Sequence, residues 1–511
     1  MPPNLTSLPI FPSKPRIFIL TDLLNEPDDS QSLVRYLLYA NEFETRGICA
    51  CTSSWLRFST HPEEARRIIT AYGKVVDNLN NHVHPGFRYQ GAEELLGLVM
   101  EGPAVYGKKA FQEPLSEGAT RLLAALAESD EPLYIPVWGG TNTLAQALAH
   151  LATTVSDSEA AKQRAKLRVY AISDQDDTGL WIRTKFPDVH YIVSAHGWSQ
   201  YDEGTWTGMN VGAGEGPDRT KVLNPWLDKH IRVGEFGSVA YPPVKFGMEG
   251  DTPSFLWLVQ NGLGHPDHVE WGGWGGRYTR PQCESDRDEE GQFDANHFYN
   301  AGDFGVVGSD GKRYGGNKAT IWRWRDAIQD DFAARMQWTW TSDFAAASHP
   351  PTVDVNGSRG VEPLVIKVKP GEKHVLDARA TYSPDSTADG LSGLDFVWML
   401  YGDVNGFHVF GHGPKVLIEG FEGADSAATH PALGENAAGF TEYTRSPCVT
   451  VTVPPMERHF QTRLVTPDFH ILLQVTNTAG KYPIRRYKRV IFSYIHDGTP
   501  VPLGKEPEGF L

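Results

Sequence analysis

Cysteine is scarce in this chain, and the cysteines that it has do not form a metal-binding pattern. The 511 residues include only Cys49, Cys51, Cys283 and Cys448, with no CxxC motif. Cys49 and Cys51 are two positions apart on one predicted strand, where their Cα atoms lie roughly 6.5–7 Å apart, so they should not bridge each other. This pattern argues against a zinc site made of thiolates.

Long apolar runs and an excess of positive charge are also missing. No uninterrupted apolar stretch approaches the length of a membrane span. The formal net charge of −16 argues against nucleic acid or an anionic membrane as a partner. The N-terminus lacks the basic region and apolar core of a signal peptide. We therefore expect either a cytoplasmic protein or a mature secreted chain, and the sequons at Asn4 and Asn356 favour secretion.

The chain is long enough for two or three domains, and its pattern changes near His349. From residue 16 to about residue 263, apolar strands alternate with amphipathic helices. This rhythm predicts an α/β fold with a doubly wound, mostly parallel sheet. From Val353 onward, short alternating strands separated by turns predict an immunoglobulin-like β-sandwich. We predict an N-terminal tail (1–15), an α/β domain (16–348) and a C-terminal β-sandwich domain (349–511).

The loop after the first predicted strand is crowded with acidic and amide side chains. They are Asp22, Asn25, Glu26, Asp28 and Asp29. Open α/β sheets bind ligands at the carboxyl ends of their strands. Carboxylates this close repel one another unless a cation or a raised pKa relieves them. One aspartate would be enough to cap the next helix, so the surplus favours a metal or acid–base site.

Two further strand ends carry candidate residues. Asp176 and Asp177 follow a predicted strand over residues 167–172. We interpret at least one of them as recognising a hydroxyl or acting as a general acid, with an N-cap as the alternative. Gly139 and Gly140 predict a tight turn that lets the backbone approach a metal, which a Cβ would hinder.

The chain is rich in aromatic residues, with fourteen Trp and nineteen Tyr. Their rings could stack on sugars or pack in the core, and the tryptophans considered are Trp138, Trp181, Trp271 and Trp274. Arg277 could anchor a loop by bidentate pairing or hold an acidic sugar. These alternatives stay open at the level of the sequence.

Three separated segments together resemble the calcium-dependent nucleoside hydrolases. They are the first aspartate cluster, Trp138-Gly-Gly-Thr-Asn142 and Glu249-Gly-Asp251-Thr-Pro. A closer resemblance is to a branch once labelled cellulose-binding, whose nucleoside hydrolase-like domain carries an appended C-terminal β-domain. Ser173-Asp-Gln-Asp-Asp, Trp274-Gly-Gly-Arg and Asp331-Phe-Ala-Ala-Arg-Met also look like that branch. The resemblance covers about residues 16–263.

The resemblance implies a calcium ion held by Asp22, Asp29, Asp251 and the carbonyl of Trp138. Calcium takes six to eight hard oxygen ligands, which suits this donor set. It also implies that a calcium-bound water attacks the anomeric carbon with inversion while Asp28 acts as general base. The candidate acids are Asp176 and Asp177, followed by Glu249. The candidate substrate contacts are Asn25, Glu26, Asn142, Gln175, Trp181, Glu249, Trp274 and Arg277.

The chain departs from the family pattern in ways that bear on the substrate. Five residues separate Asp22 from Asp28, two more than in the family, so Asn25 or Glu26 could instead face the metal or the sugar. Gly250 replaces a histidine that helps a nucleobase to leave, and the Asn/Glu motif that grips ribose is not recognisable.

The function that we expect is therefore a metal-dependent glycoside hydrolase acting on a glycan or glycoside. The alternatives are a nucleoside N-ribohydrolase and a non-catalytic polysaccharide-binding protein with a structural calcium. The expected partner is a carbohydrate or glycoside, and a homo-oligomer is left open.

Overall fold

The computed structural model describes residues 5, 8–282, 287–288, 291–386, 391–404, 416–420, 438–440, 443–457, 468–495 and 500–502. The chain divides into two compact units. The first unit comprises Met1–Val259, Gly264–Asp303 and Tyr314–Ala347, and the second comprises Gln260–Leu263, Phe304–Arg313 and Ser348–Leu511. Asn4 and Cys283 lie outside the described residues. Across those described ranges, no helix has the length and apolar character needed to cross a membrane.

The first unit is an α/β unit with a central sheet. Its strands are Arg16–Thr21 (β1), Glu44–Ala50 (β2), Val99–Glu101 (β3), Leu133–Val137 (β4), Leu167–Ala171 (β5), His190–Val193 (β6), Tyr278–Thr279 (β7) and His297–Asn300 (β8). Two short strands follow along the chain, Asp303–Val307 (β9) and Arg313–Gly316 (β10), of which residues 304–307 and 313 belong to the second unit. The helices are Pro27–Tyr39 (α1), Pro62–Gly73 (α2), Val76–Leu79 (α3), Ala92–Leu96 (α4), Glu117–Ala127 (α5), Asn142–Thr154 (α6), Asp157–Ala165 (α7), Thr178–Lys185 (α8), Asn224–His230 (α9), Gly234–Ala240 (α10), Pro253–Leu256 (α11), Ala319–Trp322 (α12) and Arg325–Trp338 (α13).

The central sheet has the strand order β3-β2-β1-β4-β5-β6-β8-β7. The described pairs are parallel except β7 with β8. β1 is buried along its whole length, as expected for a central strand of a sheet covered on both faces. The strand order reverses between β1 and β4, which is where doubly wound sheets bind ligands. The predicted α/β fold with a doubly wound, mostly parallel sheet is confirmed.

The second unit is a β-domain. Its strands are Asp354–Val355 (β11), Ser358–Arg359 (β12), Leu364–Val368 (β13), Lys373–Asp377 (β14), Leu394–Leu400 (β15), Leu417–Gly420 (β16), Tyr443–Arg445 (β17), Cys448–Thr452 (β18), Phe469–Asn477 (β19) and Ile484–Tyr494 (β20). One sheet has the order β13-β20-β19-β15-β17 and another has the order β14-β18-β16. Side chains of both sheets, among them Val451 and Ile471, share one buried cluster, which is the core arrangement of a sandwich. The prediction of a C-terminal β-domain is confirmed.

A segment from the middle of the sequence completes this second unit. The backbone N–H of Tyr487 in β20 donates to the carbonyl of Asn261 at 2.8 Å. The Arg489 side chain donates to the carbonyl of Leu263 at 3.0 Å. Gly262 has a φ of 85°, and a Cβ there would lie 2.0 Å from the Tyr487 carbonyl oxygen. Only glycine therefore fits at this crossing of two backbones.

Candidate functional site

The first aspartate loop lies at the point where the strand order reverses. Asp22 directly follows β1, and α1 begins at Pro27 with Asp28 and Asp29 in its first turn. The N-cap position belongs to Glu26, whose side chain makes no capping hydrogen bond. Neither Asp28 nor Asp29 is therefore explained as the N-cap of this helix.

Three carboxylates converge in this crevice. Ligand oxygens of Asp28, Asp29 and Asp251 all lie within 4.8 Å of one another. Asp251 reaches them from the turn that precedes α11. The Thr21 hydroxyl donates to Asp29 Oδ1 at 2.5 Å and fixes that side chain. The structure thus brings together two predicted metal ligands and the predicted general base.

Two carboxylate oxygens of the site accept no hydrogen bond. Asp22 Oδ2 and Asp251 Oδ2 are buried, and neither has a partner among the residues that the structure describes. Both residues expose only 2% of their surface. A buried anionic oxygen without a partner costs several kcal/mol. Hard cations bind such oxygens, so the chemistry of the donor set fits calcium; Asp22 itself is not among the three residues whose oxygens lie within 4.8 Å of one another.

Burial and mutual repulsion raise the pKa of all four carboxyl groups. The pKa of Asp28 is raised to about 7, first by burial and then by the charges of Glu26 and Asp22. The pKa of Asp22 is raised to about 6, again mainly by burial. The pKa values of Asp29 and Asp251 lie well above the usual range, because both groups are buried and face the other aspartates. A bound divalent cation would favour the charged forms and lower these pKa values.

The turn after β4 brings main-chain atoms to the same crevice. The carbonyl of Trp138 accepts a hydrogen bond from the Gln175 side chain. A carbonyl oxygen has a second lone pair, which stays available for a metal. A Cβ at Gly139 would lie 2.8 Å from Asp22 Oδ1. The glycine therefore permits a close approach of backbone and carboxylate, and the predicted approach of this backbone to a metal stays a prediction.

Asp176 lies next to this turn and caps two helices. Its carboxylate accepts hydrogen bonds from the backbone N–H of Asn142 at 3.1 Å and of Thr178 at 2.8 Å. These residues begin α6 and α8, and burial raises the pKa of Asp176 to about 6. Asp177 is exposed and accepts a hydrogen bond from the backbone N–H of Lys108 at 2.8 Å. The capping alternative thus describes the contacts of Asp176, and a catalytic role for either residue stays a prediction.

Some predicted substrate contacts lie at the crevice. Asn25 and Glu26 are half-buried in the aspartate loop, and Gln175 contacts the Trp138 carbonyl. Asn142 is buried, and its amide donates to the Thr52 hydroxyl at 2.9 Å. Asn142 therefore ties the loops after β2 and β4 together.

Glu249 is part of a buried ion pair. Its carboxylate pairs with Arg35, and neither side chain is exposed to solvent. The hydroxyl groups of Tyr241 and Thr252 also donate to it, at 2.6 and 2.9 Å. Glu249 has a φ of 49° and lies two residues before Asp251. The ion pair therefore anchors the turn that carries a predicted metal ligand.

Three other predicted contacts are held in structural interactions. Trp274 exposes 1% of its surface. Arg277 donates to Asp303 at 2.8 Å, which is the loop-anchoring alternative for this residue. Trp181 packs against Phe111 with ring centroids 4.7 Å apart. The structure does not bring these three residues to the aspartates by any described contact.

Sequence reasoning missed Trp206. A Cβ at Gly250 would lie 3.0 Å from the Trp206 ring and 3.1 Å from Asp28 Oδ2, so the indole lies beside the predicted base. Its indole N–H donates to Ser173 Oγ at 3.1 Å, and this oxygen lies 2.6 Å from His196 Nε2. Trp206 lies in a short 3₁₀ helix, Thr205–Met209, which is too short to give a periodic pattern in the sequence, so no sequence signal indicated it.

Comparison with known proteins gives a family and a structural relative. The family model for "Cellulose-binding Sde182, nucleoside hydrolase-like domain" matches residues 16–278. A nucleoside hydrolase-related hypothetical protein from Saccharophagus degradans, described as associated with carbohydrate metabolism, is 27% identical with a TM-score of 0.70, covering 94% of this chain and 100% of that one. An inosine-uridine preferring nucleoside hydrolase from Bacillus anthracis is 14% identical with a TM-score of 0.32, covering 64% of this chain and 100% of that one. No curated protein matches the chain.

Proposed function

Because this chain belongs to the cellulose-binding Sde182 family of nucleoside hydrolase-like domains, we propose that it is a metal-dependent glycosidase acting on a glycan or glycoside. The family description names a polysaccharide. The Saccharophagus degradans relative is associated with carbohydrate metabolism. Both favour a carbohydrate substrate over a nucleoside.

The observation that carries the proposal is the pair of buried carboxylate oxygens that find no hydrogen-bond partner in the described part of the chain. Asp22 and Asp251 supply these oxygens. Together with Asp29 and the Trp138 carbonyl, they would hold a calcium ion. When bound, calcium would orient the attacking water and sugar hydroxyls and make that water more acidic.

Asp28 is the carboxylate that takes the proton. It is half-buried, whereas Asp29 and Asp251 are buried, so Asp28 is the member of the cluster that a substrate water reaches most readily. Water attacks the anomeric carbon from the face opposite the leaving group, and its proton passes to the Asp28 carboxylate. The glycosidic bond breaks in the same step, and the leaving group takes a proton from a general acid, for which Asp176 and Asp177 are the candidates. One direct displacement without a covalent intermediate inverts the anomeric configuration.

The surroundings of Gly250 favour a glycoside rather than a nucleoside. In the resemblance described above, this position holds a histidine that assists the leaving nucleobase. In this chain, the Cβ of any side chain at position 250 would lie 3.0 Å from the Trp206 ring. The indole therefore takes the space of a polar leaving-group assistant, and a flat apolar ring suits the C–H face of a sugar.

Matched variants of the two neighbouring aspartates test the proposal. Asp28→Asn should keep the bound calcium but lower turnover by a factor of about 10² to 10⁴. Asp29→Asn should weaken calcium binding, because it removes a charged ligand. The measurements are calcium content by elemental analysis and turnover of glycoside and nucleoside panels with and without chelator. NMR of the fresh product reports its anomeric configuration.

Four outcomes would overturn the proposal. Equal residual turnover in both variants, or retention of anomeric configuration, would contradict Asp28 as the base of an inverting reaction. Calcium binding without turnover of any glycoside or nucleoside would favour the polysaccharide-binding alternative, which the family description supports. Turnover of nucleosides alone would favour a nucleoside N-ribohydrolase.

A further inference from the structure

Three aromatic side chains form an exposed cluster on the first unit. Trp55 and Trp198 are stacked, with ring centroids 5.5 Å apart and an interplanar angle of 19°. Tyr201 lies edge-on to both, at 5.5 Å from each ring. Trp55 is 53% exposed and Trp198 is 57% exposed. Each indole therefore stacks with one face on the other indole and exposes its second face to solvent. We name Trp55, Trp198 and Tyr201 the aromatic platform.

The loop of Trp55 is tied directly to the aspartate crevice. The carbonyl of Thr52, three residues before Trp55, accepts a hydrogen bond at 2.9 Å from the N–H of Gly140 in the turn after Trp138. The backbone N–H of Ser54 donates to the Gln175 carbonyl at 2.6 Å. Gln175 in turn bonds the Trp138 carbonyl, which belongs to the proposed calcium shell. The residues that directly precede Trp55 are therefore bonded to the loops that form the aspartate crevice.

A second connection runs from the platform to Asp28. The ring of Tyr201 lies 4.7 Å from that of His196. His196 is linked through Ser173 to Trp206 by hydrogen bonds of 2.6 and 3.1 Å. Trp206 lies beside Asp28, as described above. A line of rings therefore leads from the exposed platform to the predicted base.

The geometry restricts what can bind the platform. A ring inserted between two indoles needs about 3.5–4 Å on either side, or roughly 7–8 Å in all, so nothing fits between Trp55 and Trp198. Two half-exposed indoles offer roughly 200 Å², far less than the ~800 Å² per partner of a stable protein interface. A single sugar ring matches this area, because a pyranose with equatorial substituents presents one flat face of C–H groups.

We propose that the aromatic platform is a sugar-binding subsite for the pyranose rings of a β-linked oligosaccharide that extends outward from the aspartate crevice. The inference rests on the proposed function in taking a carbohydrate as the substrate. It adds that the substrate is a chain of several sugars, with one unit at Asp28 and a more distant unit on Trp55 or Trp198.

Binding to a variant with strongly reduced turnover tests the platform separately from catalysis. On the full-length Asp28→Asn background, titration calorimetry with cellopentaose, xylopentaose, mannopentaose and chitopentaose measures the dissociation constant. Trp55→Ala and Trp198→Ala should each weaken binding of the recognised pentaose about tenfold. Trp340→Ala is the matched control, because Trp340 is 40% exposed and lies beyond the end of α13. Thermal melting and Trp55→Phe, which keeps a stacking ring, check that the fold is intact.

The outcomes separate this inference from the proposed function. Binding that depends on Trp55 and Trp198 but not on Trp340 supports the platform even if no glycoside is ever hydrolysed. Binding of none of the four pentaoses, or equal losses in all three alanine variants, overturns it. Hydrolysis of small aryl glycosides together with that negative result would leave the proposed function standing and remove the platform.

Discussion

Replacing Arg35 with methionine should destabilise the first unit far more than the same change at a surface arginine. Arg35 and Glu249 form an ion pair with both side chains fully buried. The guanidinium also lies 3.8 Å from the Phe332 ring centroid. Methionine keeps much of the volume and contacts aromatic rings well, so the main loss is the charge.

The size of the effect follows from desolvation. Removing one partner of a buried pair leaves an uncompensated charge and costs about 3–5 kcal/mol. Arg67 pairs with Glu64, but its side chain is 45% exposed. Arg67→Met should therefore cost at most about 1 kcal/mol, because water screens and replaces the exposed pair. Adding Glu249→Gln to Arg35→Met should recover a large part of the loss, since the amide needs no cation.

Two measurements test this prediction: urea unfolding gives the stability of the first unit, and calcium titration gives the affinity for calcium. Arg35→Met should also weaken calcium binding, because an unpaired Glu249 no longer anchors the turn that carries Asp251. Equal stability losses for Arg35→Met and Arg67→Met would refute the desolvation argument. A large loss of stability with unchanged calcium affinity would refute the anchoring role of the ion pair.

Three further predictions concern calcium, the glycine turn and pH. Calcium at one hundred times its dissociation constant should stabilise the protein by about 2.7 kcal/mol, and chelator should reverse the rise in melting temperature. Gly139→Ala should weaken calcium binding about tenfold or more, whereas Gly91→Ala, where a Cβ meets nothing within 4 Å, should not. Burial, then the charges of Arg168 and Arg280, lower the pKa of His190 to about 3. Unfolding lets this histidine take up a proton below pH 6.5, so the free energy of unfolding should fall as the pH falls. Between pH 6.5 and 5, the protein with His190 should lose about 2 kcal/mol more than His190→Phe, measured by urea titration.

The sequence was sufficient for the features that depend on local pattern. The apolar run of β1 and the aspartates after it placed the crevice, because a buried parallel strand and its carboxyl end follow from hydrophobicity and sheet geometry. Gly139 was predicted from its backbone freedom, and the structure shows the close approach to Asp22.

The sequence was insufficient where a side chain's role depends on its partner in space. The pairing of Arg277 with Asp303 joins residues 26 positions apart, so spacing alone left its role open. Trp55 and Trp198 are 143 positions apart in aperiodic loops, yet their rings stack at 5.5 Å. Loop conformation decides which aromatic residues reach solvent, and no period of 2 or 3.6 encodes it.

The crossing at Gly262 has a consequence for how the chain is made. Asn261 and Leu263 leave the ribosome more than two hundred residues before Tyr487 and Arg489, to which they bond. Because synthesis is vectorial, this short segment has to stay available until β20 has been translated. Closing so long a loop is entropically slow, so we expect the β-domain to mature only after synthesis ends. A shortened chain starting at His349 would lack Asn261 and Leu263. The part of β20 around Tyr487 and Arg489 would then lose these hydrogen-bond partners and be open to binding by a chaperone.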